Sequence, residues 1–344
     1  MLSEPPGGLR DILFRYTSQA RPVGGVAKKV ILDVDTGVDD AVAVILALRS
    51  PELEVLGITT VTGNVDVGTA TRNTLHVLEL LDRTDVPVCP GARGPVTPGT
   101  WSVGERFHGA GGLGGVRIPE PSVRPREEHA VDFIRRVVRE EGPGEVTLIT
   151  TAPMTNVALS LLIEPDLAER LAAIVSMGGA FCTGRQGAGN SSPRGEFNVW
   201  FDPVAAKVVY NSGARVYAVG LDVTTRRDAA ISRELYERLE ESPDEVGRFV
   251  HAILGAYVEA VGYAPMHDPM AVASVIRPDL LTFELLPVDV EICGELTRGE
   301  TVADFRDFDA EVPRRRPNVH VAVDVDGPEF LRLLLDRVAG LELG

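Results

Sequence analysis

The sequence predicts one α/β domain with a mostly parallel central sheet, flanked by helices and interrupted by functional loops. Short apolar, β-branched runs alternate with helical stretches from residue 26 onward, which is typical of a parallel sheet covered by helices. Of the 344 residues, 44% are hydrophobic and 24% are charged, the balance of a globular protein rather than a disordered one. No break in composition marks a linker, so we expect residues 26–344 to form this single domain.

The first elements follow from local patterns. Residues 1–25 are rich in Pro and Gly and predict a loosely ordered N-terminal extension. Strand and helix then alternate through five segments, which are VILDV, DDAVAVILALRS, LEVLGITTV, GTATRNTLHVLELLD and VPVCPG. Residues 90–127 hold many Gly and Pro with little periodicity, so they predict a long functional loop rather than a plain connection.

Regular alternation resumes after this loop. Helices are predicted at EHAVDFIRRVVREE, MTNVALSLLIEP and DPVAAKVVYNSG, with strands at EVTLITT, AAIVSM and ARVYAVGLDV. A second loop, rich in Gly and Ser, covers residues 180–196. The remaining elements are helices near 232–241 and 244–262 and at HDPMAVASVI, strands near 282–292 and 318–324, and a final helix at PEFLRLLLDRVAG.

Charge and cysteine content exclude several classes of protein. The formal net charge of −16 argues against a surface that binds nucleic acid or an anionic membrane. Cys89, Cys182 and Cys293 are far apart and form no CxxC pair, so neither a zinc knuckle nor a disulfide framework is expected. There is no apolar run of about 18 residues and no secretory signal pattern in the first residues, so we expect a cytoplasmic protein.

An acid-rich stretch, VILDVDTGVDDAVA, is the most informative part of the sequence. It places Asp33, Asp35, Asp39 and Asp40 at the carboxyl end of the first predicted strand, where open α/β sheets bind their ligands. Carboxylates this close repel one another strongly unless positive charge lies among them. A hard divalent cation with oxygen ligands is the natural candidate.

Two other metal-dependent loops deserve comparison with this stretch. An EF-hand is excluded, because the sixth and twelfth positions counted from Asp33 are Val38 and Val44 instead of Gly and Glu. The run Asp-x-Asp-x-Thr also resembles the first motif of Mg²⁺-dependent phosphohydrolases of the haloacid dehalogenase type. In that alternative Asp33 is the nucleophile and Asp35 the acid/base, but the two later carboxylates have no role.

The whole motif resembles the signature of the nucleoside hydrolases, often called inosine–uridine-preferring. It reads Asp-x-Asp-x-Gly-x-Asp-Asp-Ala-x-Ala from Asp33 to Ala43, with Thr36 where the family usually has Pro. The resemblance extends from about Lys28 to Gly340. Six further motifs carry it in order, namely VTGNV, HGAGGLG, TTAPMTNVA, VSMGGAF, GNSSPRGEFN and MHDP. It implies a Rossmann-like fold for the domain.

This resemblance implies a Ca²⁺-dependent enzyme that hydrolyses the N-glycosidic bond of ribonucleosides for nucleoside salvage, releasing ribose and a free base. Carried over by position, the Ca²⁺ ligands are Asp35, Asp40, Asp268 and the backbone carbonyl of Thr151. Asp35 is also the expected general base, close to a water whose pKa the cation lowers. His267 is the candidate proton donor to the leaving base.

The same resemblance implies how the sugar is held. The expected ribose-binding residues are Asp39, Asn64, Met177, Asn190, Glu196 and Asn198. Asn190 is expected near the 5′-hydroxyl and Met177 against the sugar face, whereas Asp33 is expected to orient the ligands without binding the metal. Members of the family tend to be homodimers or homotetramers. A non-catalytic, nucleoside-binding member of the fold is the other alternative, and the sequence does not select a base.

The glycine-rich segment HGAGGLGG contains a literal GxGxxG. A dinucleotide site is not expected there, because no strand precedes the segment and no helix follows it. We expect a lid over the nucleoside with His108 at its edge, and Trp101 and Phe107 either stack on the base or pack within the loop.

Overall fold

The computed structural model describes residues 26–97, 108–109, 111–183, 188–306 and 315–343. Its strands are β1 (Lys28–Val34), β2 (Leu53–Thr60), β3 (Val88–Pro90), β4 (Val146–Thr150), β5 (Ala173–Met177), β6 (Val216–Val219), β7 (Ala230–Ser232), β8 (Tyr263–Pro265), β9 (Leu281–Leu286), β10 (Val288–Val290), β11 (Thr301–Ala303) and β12 (Val319–Val325). The predicted extension, residues 1–25, lies outside the described residues and stays a prediction.

The helices follow the predicted alternation. They are α1 (Val38–Leu48), α2 (Val67–Leu80), α3 (Ala130–Glu141), α4 (Thr155–Ile163), α5 (Leu167–Arg170), α6 (Phe197–Phe201), α7 (Pro203–Tyr210), α8 (Leu221–Thr224), α9 (Arg233–Glu240), α10 (Glu245–Val261), α11 (His267–Ile276) and α12 (Gly327–Ala339). Two 3₁₀ turns, Arg227–Ala229 and Pro278–Leu280, lie between them. No helix in the described ranges has the length and hydropathy to cross a bilayer.

An eight-stranded sheet with the order β3-β2-β1-β4-β5-β6-β12-β9 forms the centre of the fold. All neighbouring strands are parallel except β12 and β9, which are antiparallel. The chain moves outward from β1 to β3 on one side and from β4 to β6 on the other. The crevice between the carboxyl ends of β1 and β4 is therefore the switch point at which such sheets bind ligands.

The strand predicted near residues 282–292 is in fact two strands. β9 is the antiparallel edge of the main sheet, whereas β10 pairs with β11 in a separate two-stranded sheet. Pro287 lies between them and has no backbone N–H for a ladder hydrogen bond, so the run cannot continue as one strand.

Strand β1 shows how the core is arranged. Its apolar side chains alternate between two hydrophobic clusters, with Val30, Leu32 and Val34 in one and Ile31 in the other. This alternation places packed helices on both faces of the sheet, which confirms the predicted fold class. Helix α1 is apolar around most of its circumference, and most of it is buried.

Gly57 on β2 is required by packing. The register between β1 and β2 shifts between Val30 and Ile31, so that Ile31 faces Gly57. A Cβ at Gly57 would lie 2.2 Å from Cζ of Phe133, whose ring fills that space from α3. The phenyl ring, which is 2% exposed, therefore packs directly on the backbone of β2.

We expect Gly57→Ala to destabilise the protein by about 1–3 kcal/mol, because the new methyl group overlaps the Phe133 ring. Urea unfolding of the wild type, Gly57→Ala, Phe133→Leu and the double variant measures this effect. The double variant should lose less stability than the sum of the single variants, since the smaller side chain makes room for the methyl group. Additive losses would show that the two residues do not share this space.

Candidate active site

The predicted site residues converge on the switch point from both halves of the chain. Asp35 follows β1, Asn64 follows β2 and Thr151 follows β4. Met177 ends β5. The N-terminal ends of helices α6 and α11 carry four more predicted site residues, which are Glu196, Asn198, His267 and Asp268. Because parallel strands share one carboxyl edge, residues distant in sequence meet there.

Residues 35–40, which we call the acid loop, are closed by the carboxylate of Asp40. Its Oδ2 accepts the Gly37 N–H at 3.0 Å, and its Oδ1 accepts the Asp35 N–H at 3.4 Å. The same Oδ1 accepts the Thr151 hydroxyl at 2.8 Å, which ties the loop to the end of β4. The carboxylate thus caps α1 and fixes the loop at the switch point.

Asn64 joins two of the predicted site carboxylates. Its backbone N–H donates to Asp35 Oδ2 at 2.5 Å, and its Nδ2 donates at 3.2 Å both to Asp35 Oδ1 and to Asp40 Oδ2. The preceding Gly63 has no room for a side chain, since a Cβ there would lie 2.0 Å from Asp35 Oδ2. The motif VTGNV therefore brings a backbone amide against the carboxylate of Asp35.

Three carboxylates face one another in the cleft. Asp39, Asp40 and Asp268 each place one oxygen within 4.8 Å of the others. Burial raises the pKa of Asp40, and the charge on Asp39 raises it further. Burial also raises the pKa of Asp268 well above its usual range, followed by the charges on Asp39, Asp40 and Asp35. The cleft is thus electrostatically unfavourable to its own charged groups.

Asp35 experiences the same environment. Burial raises its pKa well above the usual range, and the charge on Asp40 adds to this, against the hydrogen bond from the Asn64 backbone. Two imidazoles lie near these carboxylates. Burial lowers the pKa of His108 to about 4, and burial also lowers the pKa of His267, against the charge on Asp39.

The donor set fits a hard divalent cation. It consists of the buried carboxylate oxygens of Asp39, Asp40 and Asp268, with the Thr151 hydroxyl hydrogen-bonded to Asp40. Oxygen ligands of this kind suit Ca²⁺ or Mg²⁺ rather than a soft metal. A cation among them would reverse the repulsion that raises the carboxylate pKa values.

Glu196 and Asn198 open α6 on the other side of the cleft. The buried carboxylate of Glu196 accepts the N–H groups of Gly179, Asn198 and Val199 at 3.0, 2.9 and 3.1 Å. Burial raises the pKa of Glu196 to about 7, against the effect of these hydrogen bonds. Asn198 Nδ2 donates to the carbonyls of Thr151 and Met177 at 2.9 and 3.1 Å, which joins α6 to β4 and β5.

His267 begins α11, immediately before Asp268. Its Nδ1 lies 2.8 Å from the hydroxyl of Thr224, a fully buried residue at the end of α8. This partner leaves Nε2 as the ring nitrogen available to a ligand. Thr224 was not predicted from the sequence. The one sequence feature that points to it is its position shortly after β6, at the ligand-binding edge of the sheet.

The predicted residues of the two loops differ in how they are placed. His108 Nδ1 accepts the Val38 N–H at 3.1 Å, and Leu113 of the expected lid is 1% exposed, so this part of the loop is packed. Asn190 is exposed on the loop before α6, and its backbone N–H donates to the carbonyl of Gly195 at 3.2 Å. Trp101 and Phe107 lie outside the described residues, so their stacking stays a prediction.

Asp33 is fully buried and lies outside the three-carboxylate cluster. Its Oδ1 accepts the Thr59 hydroxyl at 2.6 Å and Asn156 Nδ2 at 2.8 Å, and its Oδ2 accepts the Thr150 hydroxyl at 3.4 Å. Burial raises its pKa to about 6. A side chain whose two oxygens are both hydrogen-bonded within the protein is poorly placed to act as a phosphohydrolase nucleophile.

Solved structures of nucleoside hydrolases resemble this fold. A plant nucleoside hydrolase, PpNRh1, superimposes with a TM-score of 0.86 at 32% identity, over 92% of this chain and 100% of that one. The purine-preferring ribonucleoside hydrolase from Gardnerella vaginalis gives a TM-score of 0.82 at 35% identity, over 91% and 98% of the two chains.

Sequence relatives agree with the structures. The pyrimidine-specific ribonucleoside hydrolase RihA of Salmonella newport is 40% identical over 321 residues, 91% of this chain and 99% of that protein. An uncharacterized protein of Schizosaccharomyces pombe is 39% identical over 320 residues, with the same two shares. The model of the inosine-uridine preferring nucleoside hydrolases matches residues 30–332. The chain therefore belongs to this family, and it is a hydrolase of N-glycosidic bonds.

The hydrogen bonds of Asp33 predict opposite results for two variants. Asp33→Asn keeps an acceptor for Thr59 and Asn156 and removes a buried charge, so stability should equal or exceed that of the wild type. Asp33→Ala removes the acceptor shared by Thr59 and Asn156, and a buried donor left unsatisfied costs about 1–3 kcal/mol. Urea unfolding of the metal-free proteins measures both. An alanine variant as stable as the wild type would contradict this role.

Proposed function

We propose that the protein is a Ca²⁺-dependent ribonucleoside hydrolase that releases ribose and a free base. The observation that carries this proposal is the cluster of three buried carboxylates, which Thr151 links by hydrogen bonds to Asn198, whose Oδ1 is a buried acceptor without a partner in the described residues. The carboxylates suit a cation, and the free acceptor suits a sugar hydroxyl. Membership of the family indicates the reaction, hydrolysis of an N-glycosidic bond, that would use both the cation site and the sugar site.

The cation would be held by Asp35, Asp40, Asp268 and the carbonyl of Thr151. Asp39 lies in the same cluster of oxygens and is proposed to hold a ribose hydroxyl beside it. Bound Ca²⁺ supplies positive charge, which offsets the carboxylates and makes nearby water more acidic.

Asp35 is proposed as the general base. Two donors on Asn64 hold its carboxylate at the carboxyl end of β1, which restricts its rotation. A water attacking the anomeric carbon would transfer its proton to a carboxylate oxygen of Asp35 as the bond to the base breaks. The ribose would carry positive charge at that moment, and the neighbouring carboxylates would stabilise it.

The ribose would lie across the ends of β4 and β5. Asn198 Oδ1 and the Glu196 carboxylate are proposed to accept ribose hydroxyls, together with Asp39 and Asn64. Met177, at the end of β5, would pack against the sugar. Such a site rejects a 2′-deoxynucleoside, because buried polar groups are then left without partners. Asn190 stays a prediction for the 5′-hydroxyl.

His267 is proposed to protonate the leaving base. Its Nδ1 is held by the Thr224 hydroxyl, so Nε2 would be the atom that transfers the proton. The ring begins the same helix as Asp268, and one element therefore presents the acid and a cation ligand together.

The base preference does not follow from the relatives, because a pyrimidine-specific and a purine-preferring hydrolase are both similar to this chain. The function is tested with inosine, adenosine, guanosine, uridine and cytidine, assayed for reducing sugar with and without a Ca²⁺ chelator. Chelator-sensitive release of ribose is expected. Tight nucleoside binding by calorimetry without base release would instead support the non-catalytic alternative. A homodimer or homotetramer stays a prediction.

Asp35→Ala should reduce kcat by roughly 10²–10⁴-fold, since it removes the general base. Circular dichroism and thermal unfolding should show that the variant still folds. The matched control is Asp85→Asn, which removes an exposed carboxylate that pairs with Arg83 and should leave kcat unchanged. An Asp35→Ala enzyme with nearly full kcat would disprove the assignment.

Removal of the cation should lower the melting temperature as well as the activity. Ca²⁺ at a hundred times its Kd stabilises the folded state by about 2.7 kcal/mol if it binds that state alone. The shift is measured by scanning calorimetry of chelated protein with increasing Ca²⁺. Asp40→Asn should reduce the shift, because it weakens the carboxylate cluster. A melting temperature that chelation leaves unchanged would count against this metal site.

A further inference from the structure

We propose that Asn73 is a positioning residue that clamps the acid loop to the glycine turn, by which we mean residues 108–109 and 111–116. The catalytic part of this inference rests on the proposed function. Asn73 lies in α2 and is fully buried, outside the set of residues that hold the cation or the sugar. Its role follows from where its two amide hydrogens go.

A single amide group joins the two segments. Asn73 Nδ2 donates to the Thr36 carbonyl at 3.0 Å and to the Gly111 carbonyl at 2.9 Å. Thr36 lies in the acid loop between Asp35 and Gly37, and Gly111 lies in the glycine turn. Both hydrogens of the amide are thus used, one on each side.

The neighbouring Thr74 holds the same point of the acid loop. Its hydroxyl lies 2.7 Å from the Thr36 hydroxyl and donates to the Ala70 carbonyl at 2.8 Å. Thr36 must therefore donate to Thr74, because the Thr74 hydrogen is already used. Helix α2 consequently fixes Thr36 by both its carbonyl and its side chain.

The glycine turn fits closely against this clamp. Gly112 has φ +81°, and a Cβ there would lie 2.7 Å from Val65 Cγ1 and 3.1 Å from Asn73 Nδ2. At the other end of the turn, His108 Nδ1 accepts the N–H of Val38, the first residue of α1. The glycine turn thus contacts the acid loop and the start of α1 at two points, through His108 and through Asn73.

The amide of Asn73 acts through its two donors. Its Oδ1 is buried and has no hydrogen-bond partner in the described part of the chain. An unpaired buried acceptor lowers stability, so the benefit of an asparagine lies in its two donors. Those donors position the loop that carries Asp35, Asp39 and Asp40. A displacement of about 1 Å in such groups can cost a hundredfold in rate.

The test is Asn73→Asp, a substitution of equal size that turns a carboxylate oxygen toward two carbonyls. Calorimetry on the metal-free protein measures Ca²⁺ affinity, and steady-state kinetics at saturating Ca²⁺ measures kcat and KM for the best nucleoside. We expect Ca²⁺ affinity and kcat each to fall by at least about tenfold, with a smaller change in KM, because the acids are displaced while the sugar contacts of α6 remain.

The matched control is Val77→Ala, one turn further along α2 and also fully buried. It should lower the melting temperature without changing Ca²⁺ affinity or kcat. Gly112→Ala places a methyl group against Asn73 from the glycine turn, so it should lower Ca²⁺ affinity and kcat as Asn73→Asp does. The double variant should be little worse than either single one, because both break one link.

The clamp is disproved if Asn73→Asp retains wild-type Ca²⁺ affinity and kcat, or if Val77→Ala loses both to the same extent. If Asn73→Asp fails to fold, Gly112→Ala and Thr74→Val decide the question by the same measurements. A wild-type protein that hydrolyses no nucleoside would defeat the proposed function. The Ca²⁺ affinities of the metal-free variants would still test the clamp.

Discussion

Mutual repulsion among buried carboxylates is the constraint on which the rest of this structure depends. Asp35, Asp39, Asp40 and Asp268 share one cleft where burial raises all four pKa values, and like charge raises those of Asp35, Asp40 and Asp268 further. Such a group of acids does not stay together by its own interactions. The surrounding fold supplies the donors that hold it, from the N–H groups of the acid loop to the hydroxyl of Thr151 and the amide of Asn64.

Asparagine side chains link the segments that surround this cleft. Asn64 bridges Asp35 and Asp40, Asn198 bridges β4 and β5, and Asn73 bridges the acid loop and the glycine turn. Each uses the two donors of one nitrogen to reach two separate acceptors. An amide carries no charge, so it can be buried beside carboxylates without adding a titrating group. This explains how so many acids coexist with a well-packed apolar core.

The sequence was sufficient to predict what depends on local pattern. Alternating apolar runs predicted the sheet, and the strand-end position of Asp35 predicted the edge where the site lies. Partners that come from distant elements were not predictable. Thr224 reaches His267 from α8, and the position of Asp33 depends on Thr59 and Asn156. The break between β9 and β10 was not predicted, although Pro287 marks it, because the apolar residues on both sides of Pro287 favoured one continuous strand.

The distance along the chain between the acid loop and Asp268 has a consequence for synthesis. The acids of the loop leave the ribosome early, whereas α11, which carries Asp268, follows only after β1 to β8. Contacts of such large sequence separation form late, because the intervening chain must first be ordered. An N-terminal fragment therefore lacks one of the clustered carboxylates. With the proposed cation site, tight cation binding would mark a fully folded chain and would be absent from a truncated or half-folded one.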